Sequence, residues 1–93
     1  MAVKLTETEI RRQIQDYLKL KNWYVWYNLQ GLGCFRGIPD LMAAKDGEVI
    51  SIEVKRPGGR QSDYQEEFQA NIEAAGCRYI LARGIEDLQK EGI

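Results

Sequence analysis

Ile10, Ile14, Tyr17 and Leu18 recur at helical spacing, which predicts a helix from about Thr6 to Lys21. Thr6 and Glu9, three residues apart, match a capping box at its start. The pattern then turns aromatic and β-branched over Trp23-Tyr-Val-Trp-Tyr-Asn-Leu29, which reads as a strand. Residues 30–39 carry three glycines and a proline and read as a loop. A strand from Asp40 to Ala44 follows, then a turn at Lys45-Asp46-Gly47 and a strand from Glu48 to Lys55. Asp-Gly between two such runs is a hairpin signal. Beyond Pro57-Gly58-Gly59, a second helix is expected from about Ser62 to Ala75, ending at Gly76. Tyr64, Phe68, Ile72 and Ala75 would be its buried stripe. Cys77–Ala82 reads as a last strand and Ile85–Lys90 as a short closing helix. The order α-β-β-β-α-β-α predicts an α/β fold, a mixed β-sheet flanked by helices. A crossover through the second helix should set the last strand parallel to the third. With no repeat or linker in it, the whole stretch 1–93 reads as one domain.

Composition narrows the chemistry. The chain has no histidine, so His triads, His general bases and His metal ligands are excluded together. Catalysis would fall to carboxylates, lysines, hydroxyls, thiols or a hard metal ion. Cys34 and Cys77 are too few and too far apart to suggest a disulfide scaffold or a zinc site, and are expected to be free thiols. The formal net charge of −1 provides no global attraction to nucleic acid, so a nucleic-acid site would rest on local basic clusters and metal ions. No apolar run approaches a membrane span. The opening Met-Ala-Val-Lys-Leu-Thr-Glu-Thr-Glu lacks the apolar core of a secretory signal, and a cytoplasmic location is expected.

The candidate chemistry lies in Glu48-Val-Ile-Ser-Ile-Glu-Val-Lys55. Alternation along a strand sends Ile50, Ile52 and Val54 into a core and Ser51, Glu53 and Lys55 to the opposite face. If the hairpin pairs residues near Lys45 and Glu48, Asp40 falls opposite roughly Glu53. Two carboxylates and an ammonium would then converge at one end of the hairpin. Such a cluster suits phosphodiester hydrolysis, because Mg²⁺ usually takes only one or two protein carboxylates plus a phosphate. Asp40 and Glu53 would supply the carboxylates and the Val54 backbone carbonyl a third oxygen. Lys55 would orient or deprotonate the attacking water, or stabilise the transition state. Glu-x-Lys alone is usually a solvated ion pair; Pro39-Asp40 on the adjacent strand is what shifts the reading.

Gly37-Ile38-Pro39-Asp40-Leu41 followed by Glu53-Val54-Lys55 resembles the PD-(D/E)xK nuclease signature, and more particularly its VRR-NUC (virus-type replication-repair nuclease) group. The likeness runs from about Thr6 to Ala82. It implies a restriction-endonuclease-like core and a Mg²⁺- or Mn²⁺-dependent DNA nuclease. Short stand-alone members resemble phage proteins that dimerise and cut branched DNA such as four-way (Holliday) junctions. By this resemblance Asp40 and Glu53 match the metal ligands, Lys55 the catalytic lysine and Gln65 a catalytic glutamine of the following helix. Glu9 best matches a leading acidic metal ligand, with Glu7 as its rival. Glu9 and Gln65 also have a plainer role, closing capping boxes with Thr6 and Ser62.

Arg36, Lys55, Arg56 and Arg60 are the expected DNA contacts, and Gly58-Gly59 lets backbone approach a phosphate closely. The alternative is that Arg56 and Arg60 belong to a solvated turn. Alternation sends Trp23, Val25 and Tyr27 to one face and Tyr24 and Trp26 to the other. Those aromatics suit core packing or a dimer surface, or stacking on unpaired bases. The expected assembly is a homodimer acting on DNA, probing branched structures with two sites in two-fold symmetry. The rivals are a non-catalytic DNA-binding module of the same fold and a nuclease on flap or plain duplex DNA.

Overall fold

The computed structural model describes residues 4–93; the first three residues of the stretch read for a secretory signal lie outside them. Helix α1 spans Glu7–Leu20, with Thr6 as N-cap and the Thr6–Glu9 capping box formed in both directions. Its buried residues are Ile10, Ile14 and Leu18, one apolar stripe at helical spacing. Asn22, at φ 68°, turns the chain out of the helix.

Four strands form one sheet in the order β1-β2-β3-β4: β1 Tyr24–Tyr27, β2 Leu41–Lys45, β3 Glu48–Val54 and β4 Arg78–Ala82. The β1–β2 and β2–β3 pairs are antiparallel and β3–β4 is parallel. The Asp46–Gly47 turn has both residues at positive φ, 50° and 82°, as a two-residue hairpin of matching twist requires. Lys45 therefore pairs with Glu48 and Leu41 with Ile52. β1 is shorter than its aromatic run, but its pairing continues: Asn28 N–H donates to the Asp40 carbonyl at 2.8 Å.

The core lies on one face of the sheet. Leu41 and Ala43 of β2, Ile50, Ile52 and Val54 of β3, and Ile80 and Ala82 of β4 meet Ile10, Ile14 and Leu18 of α1. Leu88 of α3 (Ile85–Lys90) and Ile93 complete it. Tyr17, Trp23 and Val25 pack on its edge.

Helix α2, Asp63–Ala74, carries the opposite face and corrects one expectation. None of its residues is fully buried. Phe68 and Ile72 are half-buried, while Tyr64 and Ala75 are exposed. The reason is geometric: α2 runs along β4, no further layer covers it, and its main aromatic contact is Phe68 tilted against Tyr79 at 6.4 Å. Among the described residues no helix is long and apolar enough to cross a membrane, and Cys34 and Cys77 are free thiols.

This asymmetry between the two helical layers is measurable. Ile14→Ala, which empties a fully buried site, should lower the unfolding free energy by about 2–5 kcal/mol. Ile72→Ser on α2 should cost about 1 kcal/mol or less. Urea unfolding of the two variants beside the parent reads the difference directly.

Candidate functional site

The β2–β3 register brings Asp40, immediately before β2, alongside Glu53 near the end of β3. Asp40 Oδ2 accepts a hydrogen bond from the Val54 N–H at 2.8 Å, so the backbone of β3 itself aims this carboxylate. The Val54 side chain belongs to the core on the other face. Asn28 holds the entry to β2 from outside, its side-chain amide donating to the Pro39 carbonyl at 2.9 Å. Glu53 is only 1% exposed. Alternation takes it away from the α1 core, yet the start of α2 still shields it from water.

Gln65 links α2 to that carboxylate. Its Oε1 accepts from the Ser62 N–H at 2.8 Å, closing the α2 capping box, while its Nε2 donates to Glu53 Oε1 at 3.2 Å. The amide thus closes the helix cap on one side and holds Glu53 on the other. The fit depends on Gly37. At φ 78° it lies against the first turn of α2, and a Cβ there would stand 2.1 Å from the Tyr64 carbonyl oxygen. A side chain at this position would push away the turn that carries Gln65.

The remaining oxygen, Glu53 Oε2, is buried, and no group among the described residues donates to it. A buried acceptor without a donor is costly, and the carboxyl responds by keeping its own proton, which it shares with Asp40. Burial, then hydrogen bonding and repulsion from Asp40, push the Glu53 pKa up to about 9, with Lys55 opposing and Glu7 adding to the rise. Burial also raises the Tyr79 phenol above its ordinary range, with the charge of Glu53 contributing.

Those directions separate the two candidate acids at the head of α1. Glu9 is engaged in the cap: its Oε1 accepts from the Thr6 hydroxyl at 2.9 Å and from the Thr6 N–H at 3.3 Å. Glu7 is the helix carboxylate whose charge reaches Glu53. Among the described residues no three acidic or thiol side chains converge into a ready-made ion cage. Two carboxylates, one with a buried oxygen to which no described group donates, nevertheless fit a hard divalent cation that keeps water and substrate oxygens in its shell.

The chain matches the family model of the VRR-NUC domain over residues 3–86. It belongs to the VRR-NUC family. No curated protein and no solved structure matches it. The VRR-NUC domain is a nuclease-type domain, and the mixed sheet with its flanking helices is consistent with a restriction-endonuclease-like fold.

The basic residues are less concentrated than the VRR-NUC motif. Lys55 is half-buried beside Glu53, and its N–H donates to the Ala82 carbonyl at 3.0 Å. Arg36 lies over the Tyr64 ring, 4.9 Å from its centroid, and donates to the Tyr64 hydroxyl at 2.6 Å. Arg56 and Arg60 are exposed on the turn after β3. Sequence reasoning missed Arg83, whose guanidinium donates to the Arg56 and Gly59 carbonyls at 2.9 and 2.8 Å and so ties that turn to the end of β4. Its position just past the last strand was the available signal, since ligands of α/β sheets gather at the carboxyl ends of strands.

The Glu53 environment predicts how the metal-free protein responds to pH. Between its ordinary value of 4.5 and its folded value of about 9, the folded state holds a proton that the unfolded state has released. Stability should therefore fall as pH rises through this window. Glu53→Gln, neutral at every pH, should be more stable than the parent at pH 8 and show a flatter profile. Thermal unfolding in EDTA from pH 5 to 9 checks both statements.

Proposed function

We propose that this chain is a Mg²⁺- or Mn²⁺-dependent endodeoxyribonuclease that cuts structured DNA, four-way junctions above all, as a homodimer. The observation that carries the reading is the Asp40–Glu53 pair, with one carboxylate oriented by backbone and the other holding a buried oxygen to which no described group donates. A divalent ion held by Asp40, Glu53 and the Val54 carbonyl supplies charge neutralisation at the phosphate and a water that loses its proton more easily.

The chain's own residues do the rest. Gln65 fixes the rotamer of Glu53, and the Val54 N–H fixes that of Asp40. Lys55, on the same face, donates to the phosphate or to the attacking water and stabilises the charge that develops in the transition state. The proton on Glu53 must leave before this carboxylate can serve as a ligand, so loading of the site is coupled to pH. Glu7 takes the place of the leading acid, with Glu9 retained for the helix cap. Arg36, Arg56 and Arg60 contact phosphates around the cut.

One feature supports self-association. Tyr24, Tyr27, Leu29 and Phe35 are all more than half exposed, an unusual amount of apolar surface for so short a chain. A second copy would cover part of it and set two sites in two-fold symmetry, as paired nicks across a junction require.

Asp40→Ala, Glu53→Ala and Lys55→Ala should each abolish cleavage of four-way junction DNA in Mg²⁺ or Mn²⁺, with far-ultraviolet circular dichroism unchanged. Paired symmetric cuts that disappear in EDTA are the expected pattern on gels of labelled strands. Equal cutting of junction, flap and linear duplex would leave a nuclease and remove the junction preference. Binding without cutting in either metal, or activity persisting in Glu53→Ala, would overturn the catalytic reading. A monomer by light scattering at high concentration would overturn the homodimer.

The two acids of α1 are distinguished separately. Glu7→Gln should reduce cleavage by about tenfold or more by weakening ion retention. Glu9→Gln should retain activity, because glutamine closes the same capping box. Initial rates over a series of Mg²⁺ concentrations read this contrast, and the opposite ranking would return the role to Glu9.

A further inference from the structure

The face of the sheet opposite the candidate carboxylates has a cleft that the nuclease reading leaves unused. It opens where β3 and β4 end, between the start of α1, the turn at Arg56–Gly58 and the start of α3, and its volume is about 640 Å³. Strand alternation explains why it adjoins the site without overlapping it. Glu53 and Lys55 go to the α2 side, and the next residue, Arg56, lines the cleft on the α1 side. Arg83 enters it one residue beyond Ala82, the partner of the Lys55 N–H.

The lining has two parts. Leu5, Ile10, Pro57 and Ile85 form an apolar floor. Leu5 and Ile10 sit just before the N-cap and at the fourth helical position, the spacing of a hydrophobic staple, so the floor is anchored to the helix start. Lys4, Arg56 and Arg83 stand on the rim against one carboxylate, Glu86. A paired duplex presents mainly phosphates at such a place and would leave the apolar floor wet. A splayed-out base offers a flat apolar face to aliphatic or aromatic side chains and a phosphate to the cations. The volume lies within the range of pockets for molecules of nucleotide size.

We propose that this cleft holds one unpaired nucleotide of the DNA next to the strand being cut, its base against Leu5, Pro57 and Ile85 and its phosphate at Arg56 and Lys4. This rests on the nuclease reading and deepens it. It makes single-stranded character beside the cut one of the features by which the chain recognises structured DNA. Arg83 is a positioning residue here, because it holds the Arg56–Gly59 turn through two carbonyls.

The test measures binding in EDTA, where no cutting takes place. Fluorescence anisotropy would compare a short single-stranded oligonucleotide, a forked duplex and a blunt duplex. The variants are Gln13→Trp, which fills the cleft from its exposed rim, and Lys4→Glu, which reverses a rim charge. Both positions are exposed and outside the core, and a circular dichroism melt confirms folding. Affinity for the single strand and the fork should fall about tenfold in Gln13→Trp, as loss of one base contact does, with the blunt duplex changed less than about twofold. Free deoxyadenosine monophosphate at millimolar concentration should compete with the single strand on the parent protein and not on Gln13→Trp. An equal loss on all three DNAs, or no loss on the single strand, would overturn the proposal. These outcomes are independent of cleavage, so an inactive protein with the expected binding pattern would remove the nuclease reading alone.

Discussion

The pairing of β2 with β3 is the constraint from which the rest of the molecule follows. In a strand, successive side chains take opposite faces, so a slip of one residue would exchange the faces of a whole strand. With Leu41 opposite Ile52, three large aliphatic residues of β3 enter the α1 core and Glu53 enters the narrow space under the start of α2. The hairpin turn at Asp46–Gly47 sets this register locally, before any tertiary contact. The hydrogen bond from the Val54 N–H to Asp40 then uses the strand's own backbone to complete it. The fold and the site share one register, so a slip in the pairing would damage both.

Capping serves two purposes in the same way. Each long helix starts with a box in which a Thr or Ser and a residue three positions later satisfy each other's backbone groups. In α1 the box uses up Glu9 and leaves Glu7 outside it. In α2 the box uses one side of the Gln65 amide and leaves the other for Glu53. A side chain already immobilised by a cap loses little further entropy when it holds a ligand, which is why a helix start is a favourable place to build a site.

The two faces of the sheet differ in how they are closed. The α1 face is a packed core that includes Leu88 and Ile93. The α2 face is thinly covered, with Phe35 set edge-on to Phe68 at 6.0 Å and Tyr24 against Trp26 at 5.6 Å, both close to solvent. A chain of this length buries a modest share of its apolar surface. Its packed side carries most of the buried apolar area, and its open side carries the carboxylate pair.

The sequence by itself determined the order of elements, the Asp-Gly hairpin, both capping boxes and the alternation that separates Glu53 and Lys55 from the core. All of these are short-range: they follow from φ/ψ preferences, from side chains three residues apart and from the period of a strand. From the hairpin alone, Asp40 could be set opposite Glu53. Tertiary structure decided what no local rule contains. It left the Tyr64–Phe68–Ile72 stripe half open, because burial depends on whether another layer lies above it. It set the charge of Glu7 within reach of Glu53, while Glu9 stays in the helix cap. It made Gly37 indispensable through contact with a helix nearly thirty residues away and placed Arg83 across the turn after β3. Above all it buried Glu53 beside Asp40 with no described group donating to its second oxygen, and burial, a property of the whole fold, is what turns an ordinary strand glutamate into a group with altered chemistry.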